Sequence, residues 1–186
     1  WLCNQLVSRR ESIQVIGAIG ACVELAMDKL QQVQIAQSAG FDVPETTLAS
    51  APARLSFPLF VKGRYAARLQ RGQLTRDPGL RVDTPSQLEE FLADVGGAPM
   101  IAQPCLSGTG EGVFGIARDG CLLIASGHRR VRMMNPAGSG SSACEKREVN
   151  KEELERVRRF IKAARWHGIF MLEFLRDQEG RSWFME

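Results

Sequence analysis

Two apolar segments close to the end of the chain restrict the fold more than any other feature. Ile169-Phe170-Met171-Leu172-Glu173-Phe174-Leu175 and Ser182-Trp183-Phe184-Met185-Glu186 read as strands around the turn-forming Asp177-Gln178-Glu179-Gly180. Each strand carries one carboxylate. A buried, unpaired carboxylate is costly, so Glu173 and Glu186 each call for a cation, a metal ion or a proton. If a four-residue loop at 177–180 closes the hairpin, Glu173 pairs with Phe184 and Met171 with Glu186. The two carboxylates then share one face as diagonal neighbours, and a divalent cation between them relieves their repulsion. All-oxygen ligation of this kind suits Mg²⁺ shared with phosphates. A loop of odd length puts them on opposite faces and removes the site.

The remaining pattern alternates helices and strands irregularly. Asp28 reads as an N-cap for a helix carrying Leu30, Val33 and Ala36, with Gly40 as its stop. Phe57-Pro58-Leu59-Phe60-Val61-Lys62 reads as a short buried strand, and 63–82 as a basic, irregular stretch. Thr84 with Pro85 and Gln87 starts a helix whose apolar stripe is Leu88, Phe91, Leu92 and Val95. Strands follow at 99–103, 112–117, 121–126 and 129–133, with glycine-containing turns between them. Asn150 with Glu153 then caps a helix that Gly168 ends. The fold class is α+β in two lobes, divided near residue 103, and not a doubly wound sheet.

Composition narrows the function classes. At 186 residues, 44% hydrophobic and 24% charged, the chain is globular rather than disordered. A net charge of +3 is too small to argue for nucleic acid, and no apolar run approaches the roughly 20 residues of a membrane helix. Five cysteines without a C-x-x-C pair read as thiols in a reducing cytoplasm. His128 and His167 alone leave little room for histidine-based metal sites or triads. The start at Trp1 and the stop at Glu186, directly after an apolar triplet, read as the ends of an excerpt from a longer chain.

Several residues conflict in type with their place. Lys29 sits at the first position of a helix, where the dipole favours anions, so lysine and helix end together form an anion site. Lys62 ends an apolar strand with its stem buried and its ammonium toward an edge or cleft. Gly108-Thr109-Gly110-Glu111-Gly112 is glycine-rich but matches neither dinucleotide nor P-loop spacing, and reads as a flexible connection containing one acidic group. His128, Arg130 and Arg132 lie on one strand face, with Arg129 on the other, and suggest an anionic partner.

Taken in order, these pieces resemble the ATP-grasp superfamily, in particular its carbamoyl-phosphate-synthase-like and amino-acid-ligase-like members. The likeness covers residues 27–186. It rests on Met27-Asp28-Lys29-Leu30, Ala39 to Thr46, Phe57 to Lys62, Ile101 to Gly108, His128 to Arg132 with the following Asn135-Pro136-Ala137-Gly138, and the strand segments Met171-Leu172-Glu173-Phe174 and Phe184-Met185-Glu186. The resemblance implies that Lys29 and Lys62 contact ATP phosphates. Gln103, Pro104, Cys105 and Leu106 would frame adenine, and Glu111 would accept the ribose hydroxyls. Glu173 and Glu186 would bind Mg²⁺, and either Arg130 or Arg132 would stabilise the transferred phosphoryl group. It further implies a domain tail at 1–26, a first lobe at 27–103 and a second lobe at 104–186, incomplete at its C-terminal end. Pro104 stands where a glutamate is frequent, and Gly63 replaces a frequent proline. The family pattern continues from its last glutamate to x-Asn-x-Arg, beyond Glu186.

The implied reaction is ATP-dependent phosphorylation of a carboxylate, followed by attack of an amine or another nucleophile on the acyl phosphate. Expected partners are therefore small carboxylate and amine substrates, with neither nucleic acid nor membrane, and homo-oligomer formation is left open. Two alternatives compete: a nucleotide-binding module without catalysis, and an RNA-binding α+β domain using Arg64, Arg68, Arg71, Arg76 and Arg81. The latter has Tyr65 as its one stacking aromatic.

Overall fold

Asp28 ends one helix and begins the next. The computed structural model describes residues 17–52, 54–70, 72–134 and 140–186. In it, Asp28 is the C-cap of α1 (Ala21–Met27) and the N-cap of α2 (Lys29–Ser38), accepting from the amides of Leu30 at 3.0 Å and Gln31 at 3.4 Å. It is buried and bonded by Arg64, whose terminal nitrogen lies 2.6 Å from its carboxylate. The Lys29 amide donates to the Arg64 carbonyl, and the Ala66 amide to that of Met27. These contacts stitch the start of α2 to the segment that follows Lys62.

The first sheet has the order β1 (Thr47–Leu48), β6 (Met100–Pro104), β2 (Leu59–Gly63), β5 (Leu80–Val82), all antiparallel. Alternation along β2 buries Leu59 and Val61 and turns Phe60 and Lys62 to the other face. The buried face packs on α3 (Pro85–Asp94) through Leu88 and Phe91. Thr84 caps α3 as its sequence predicts, accepting from the Gln87 amide at 3.3 Å, and Gln87 accepts in return from the Asp83 amide at 2.8 Å. The basic stretch 63–82 is more ordered than expected. It holds a hairpin of β3 (Arg68–Gln70) and β4 (Gln73–Thr75), then β5.

The second sheet has the order β11 (Ser182–Phe184), β10 (Gly168–Arg176), β7 (Thr109–Arg118), β8 (Cys121–Met133), β9 (Ser141–Arg147). Helix α4 (Lys151–Ala163) covers one face with Val157, Phe160 and Ile161, which meet Val113, Phe170, Leu172, Phe174 and Phe184. Ala36, Ala39 and Phe41 belong to this same core, so the segment expected with the first lobe packs under the second sheet. The part of 17–26 expected as a preceding domain's tail supplies α1, and its Cys22 thiol donates to the Arg165 carbonyl at 3.1 Å.

Strand β8 runs unbroken where the sequence suggests a turn between 126 and 129. Gly127 is there for closeness: a Cβ on it would lie 2.9 Å from Val149 Cγ2 and 3.0 Å from the Arg147 carbonyl oxygen. Among the described residues, no helix is long and apolar enough to cross a membrane.

Candidate functional site

A cleft of about 1010 Å³ lies between the two sheets. Its floor comes from β2, β6 and the connection that follows; its opposite wall comes from the face of the second sheet that α4 leaves open. Of the residues the sequence singled out, Lys62, Gln103, Pro104, Cys105, Leu106, Arg130, Arg132, Glu173 and Glu186 all line it. They derive from segments up to 124 residues apart, which local pattern cannot bring together.

Two ion pairs occupy its centre. Lys62 Nζ lies 2.8 Å from Glu186 Oε1 and spans the two sheets. Arg130 donates to Glu173 Oε1 at 2.6 Å. Arg130 reaches Glu173 by crossing over Gly110 on the intervening strand, where a Cβ would lie 2.6 Å from its Cδ. The glycine-rich stretch therefore is not a flexible connection. From Thr109 onward it is strand β7, and Gly110 and Gly112 make room for the β8 side chains of Arg130 and His128.

The hairpin register differs from the expected one, yet both carboxylates still face the cleft. Arg176 opposes Ser182 and Phe174 opposes Phe184, so the loop is five residues, 177–181. Asp177 organises it by accepting from the amides of Glu179 and Arg181 and from the Trp183 indole at 2.9 Å. Alternation alone would then separate Glu186 from Glu173. Instead the Met185 amide donates to the Glu173 carbonyl at 2.8 Å, and the Glu173 amide donates to the Glu186 carbonyl at 2.6 Å. Two residues oppose one, the pattern of a β-bulge, which re-aims the Glu186 side chain.

Lys29 stands beside this centre rather than in the lining. Burial pulls its ammonium below the usual lysine value; the Glu186 carboxylate opposes that and the Lys62 charge adds to it. Gln103 is buried and donates its amide to Thr46 Oγ1 at 2.9 Å, so it is the strand backbone at this position that borders the cleft. Burial likewise pushes the Cys105 thiol up.

Glu111 is not brought to the cleft. Odd positions of β7 face α4, so its carboxylate is buried among Arg176 (2.8 Å), Arg147 (3.2 Å) and, through Arg147, Glu153. The expectation of a ribose contact from Glu111 meets a side chain on the opposite face of the sheet. The arginines of 63–82 are also engaged: Arg64 with Asp28, Arg68 with Asp77 at 2.5 Å, Arg81 with Asp83 at 2.9 Å. An open basic face, as RNA binding requires, is not what these three build. Sequence reasoning passed over Phe60 and Met185, which also line the cleft, and gave Arg81, a third, only to the RNA-binding alternative. The alternation of β2 around Lys62 was the available signal for Phe60.

Among the described residues, no three His, Cys, Asp or Glu side chains converge as a ready-made metal site. Two carboxylates in one cleft beside a lysine and an arginine fit a different arrangement, a divalent cation that takes its remaining ligands from a bound polyanion.

Solved structures share this arrangement of two antiparallel sheets on either side of a charged cleft. The chain has the ATP-grasp fold. It aligns with an L-amino acid ligase from Bacillus licheniformis at a TM-score of 0.64 and 19% identity, covering 89% of this chain and 41% of that one. A RiPP-associated ATP-grasp ligase from Chryseobacterium gregarium, in complex with ADP and a leader and core peptide, aligns at 0.70 and 16%, covering 100% and 59%. N5-carboxyaminoimidazole synthetase from Staphylococcus aureus aligns at 0.66 and 16%, covering 98% and 48%. The chain thus spans about half the length of these proteins. No protein-family model and no curated protein matches its sequence.

Proposed function

We propose that this chain is the nucleotide-binding, phosphoryl-transferring core of a ligase that activates a carboxylic acid with ATP for attack by an amine. The observation that carries this reading is the convergence of Lys62–Glu186 at 2.8 Å and Arg130–Glu173 at 2.6 Å in one cleft. In each pair the cation suits phosphate oxygens and the anion suits a divalent metal, so bound nucleotide and metal would satisfy all four groups by exchange of partners.

In the proposed reaction Lys62, supported by Lys29, holds phosphate oxygens, and the 103–106 backbone borders the base. Arg130 or Arg132 neutralises charge on the group in transfer. The γ-phosphoryl passes to a carboxylate oxygen of the acid and ADP leaves. The amine nitrogen then bonds to the acyl carbon, loses its proton, and inorganic phosphate departs. Glu173 and Glu186 would hold Mg²⁺, which supplies charge neutralisation between phosphate oxygens. Positioning and electrostatics of this kind account for most catalysis of phosphoryl transfer.

Calorimetric titration with Mg-ATP tests the reading. Wild type should bind, Lys62→Ala should bind at least about tenfold more weakly, and Glu173→Gln should abolish Mg²⁺-dependent ADP formation. Absence of Mg-ATP binding to wild type overturns the proposal. Binding without ADP release across carboxylic acids and amines would make the chain a nucleotide-binding module without catalysis.

A further inference from the structure

The face of the second sheet that carries Glu173 and Arg130 does not end at the cleft. Its strand register arranges β10, β7 and β8 in cross-strand rows. Leu175, Gly110 and Arg130 form one, and Glu173, Gly112 and His128 the next. Beyond them come Met171, Phe114 and Ser126, then Ile169, Ile116 and Ile124. Rows on one face are about 7 Å apart. The charged rows therefore give way within one step to an apolar surface, on which Met171, Phe114, Ile116, Ile169 and Ile124 are 40–63% exposed. Five large apolar side chains side by side on a sheet face, rimmed by charge, mark a binding surface rather than chance exposure.

His128 sits at the junction. It leans over Gly112, whose missing side chain leaves room for the ring, and its ring centre is 6.0 Å from that of Phe114. Toward the charged side its neighbours are Arg130 and Glu173; toward the other, Phe114 and Met171.

We propose that this face is the acceptor subsite, taking a carboxylic acid with an apolar body whose carboxylate points to Arg130 and whose tail lies over His128, Phe114 and Met171. The proposal rests on the ligase reading, which needs a carboxylate within reach of the transferred phosphoryl group, and goes beyond it by naming the acid's class. Continuity decides the occupant. A single molecule charged at one end and apolar at the other matches the sequence of rows, whereas a small polar acid would leave the two apolar rows uncovered. The cation at the cleft end is Arg130, which the ligase reading releases from Glu173 once Glu173 holds the metal, so the charged end of the ligand is an anion.

The test is calorimetric binding of 3-phenylpropanoate, acetate and the uncharged 3-phenylpropanol to the full chain. Phenylpropanoate should bind about tenfold or more tighter than either, since covering its ring is worth that factor and so is its charge. Phe114→Ser combined with Met171→Ser should remove the advantage over acetate while leaving Mg-ATP affinity unchanged. Both side chains are half exposed, and an unchanged melting temperature checks that the variant folds. Equal affinity for phenylpropanoate and acetate overturns the subsite and leaves the nucleotide reading standing. Absence of Mg-ATP binding in the same samples overturns the nucleotide reading, and with it the assignment of this face to an acceptor. A dimer in light scattering that the double variant dissociates also overturns the subsite, in favour of a contact between two copies.

Discussion

Asp28 shows how one side chain serves both stability and site geometry. Burial works against its charge, but Arg64 and the amides of Gln31 and Leu30 outweigh that and hold its carboxyl below the usual carboxylate range. A group whose folded-state pKa is lowered contributes stability in full above its unfolded value of about 3.9. That contribution is lost as pH falls through the folded-state value. Asp28→Asn keeps a capping oxygen and removes the charge, so it should cost about 1–2 kcal/mol in urea unfolding at pH 7. The difference from wild type should shrink as the pH is lowered past the unfolded-state value and through the folded-state one. Gly110 makes the complementary point. A Cβ there would displace Arg130, whose long side chain can swing away, so Gly110→Ala should cost little in melting temperature. It should nevertheless lower ADP formation by about tenfold or more, because the guanidinium no longer lies where charge develops. An unchanged turnover would remove Arg130 from the transfer step.

At the scale of elements, the buried carboxylate of Glu111 joins β7 to β10 through Arg176 and to β9 through Arg147, which in turn binds Glu153 on α4. Four elements meet at one network, and neutralising Glu111 leaves Arg176 without its carboxylate partner and Arg147 with Glu153 alone. Glu111→Gln should therefore destabilise by about 3 kcal/mol in denaturant unfolding, with Mg-ATP affinity unchanged to within about twofold. A large loss of nucleotide affinity at unchanged stability would return Glu111 to the ligand site. The helices were the most legible elements. Asp28, Thr84 and Asn150 each start a helix in the sequence and each cap one in the structure, because a cap is a contact over two or three residues. The hairpin was legible as two strands but not in register. The turn is held by three hydrogen bonds to Asp177 and the bulge by two backbone hydrogen bonds at Glu173, neither of which alternation encodes. Glycines at 110 and 127 look like turn signals in sequence, since closeness to another strand leaves no mark on the residues flanking them.

For the whole molecule, the Lys62–Glu186 pair joins the first sheet to the second across the cleft. A ligand that binds only when both walls are in place should stabilise the entire fold. Mg-ATP at about 100 times its dissociation constant should add about 2.7 kcal/mol, visible as a rise in melting temperature, and Lys62→Ala should lose most of that rise at the same nucleotide concentration. Legible in the sequence alone were the helix starts, the α+β class, the apolar segments that carry Lys62, Glu173 and Glu186, and the order in which they occur. These follow from caps, periodicity and the mismatch of a lone charge in an apolar run, all short-range properties. Tertiary contacts alone set which face each charge occupies, that Ala36, Ala39 and Phe41 pack under the second sheet, that Glu111 turns to the helix, and that an apolar surface continues from the charged cleft. The physical reason is that facing and partnership depend on strand register and on contacts between segments far apart in the chain. One residue of slip or one bulge reverses a side chain's face without changing the local pattern at all.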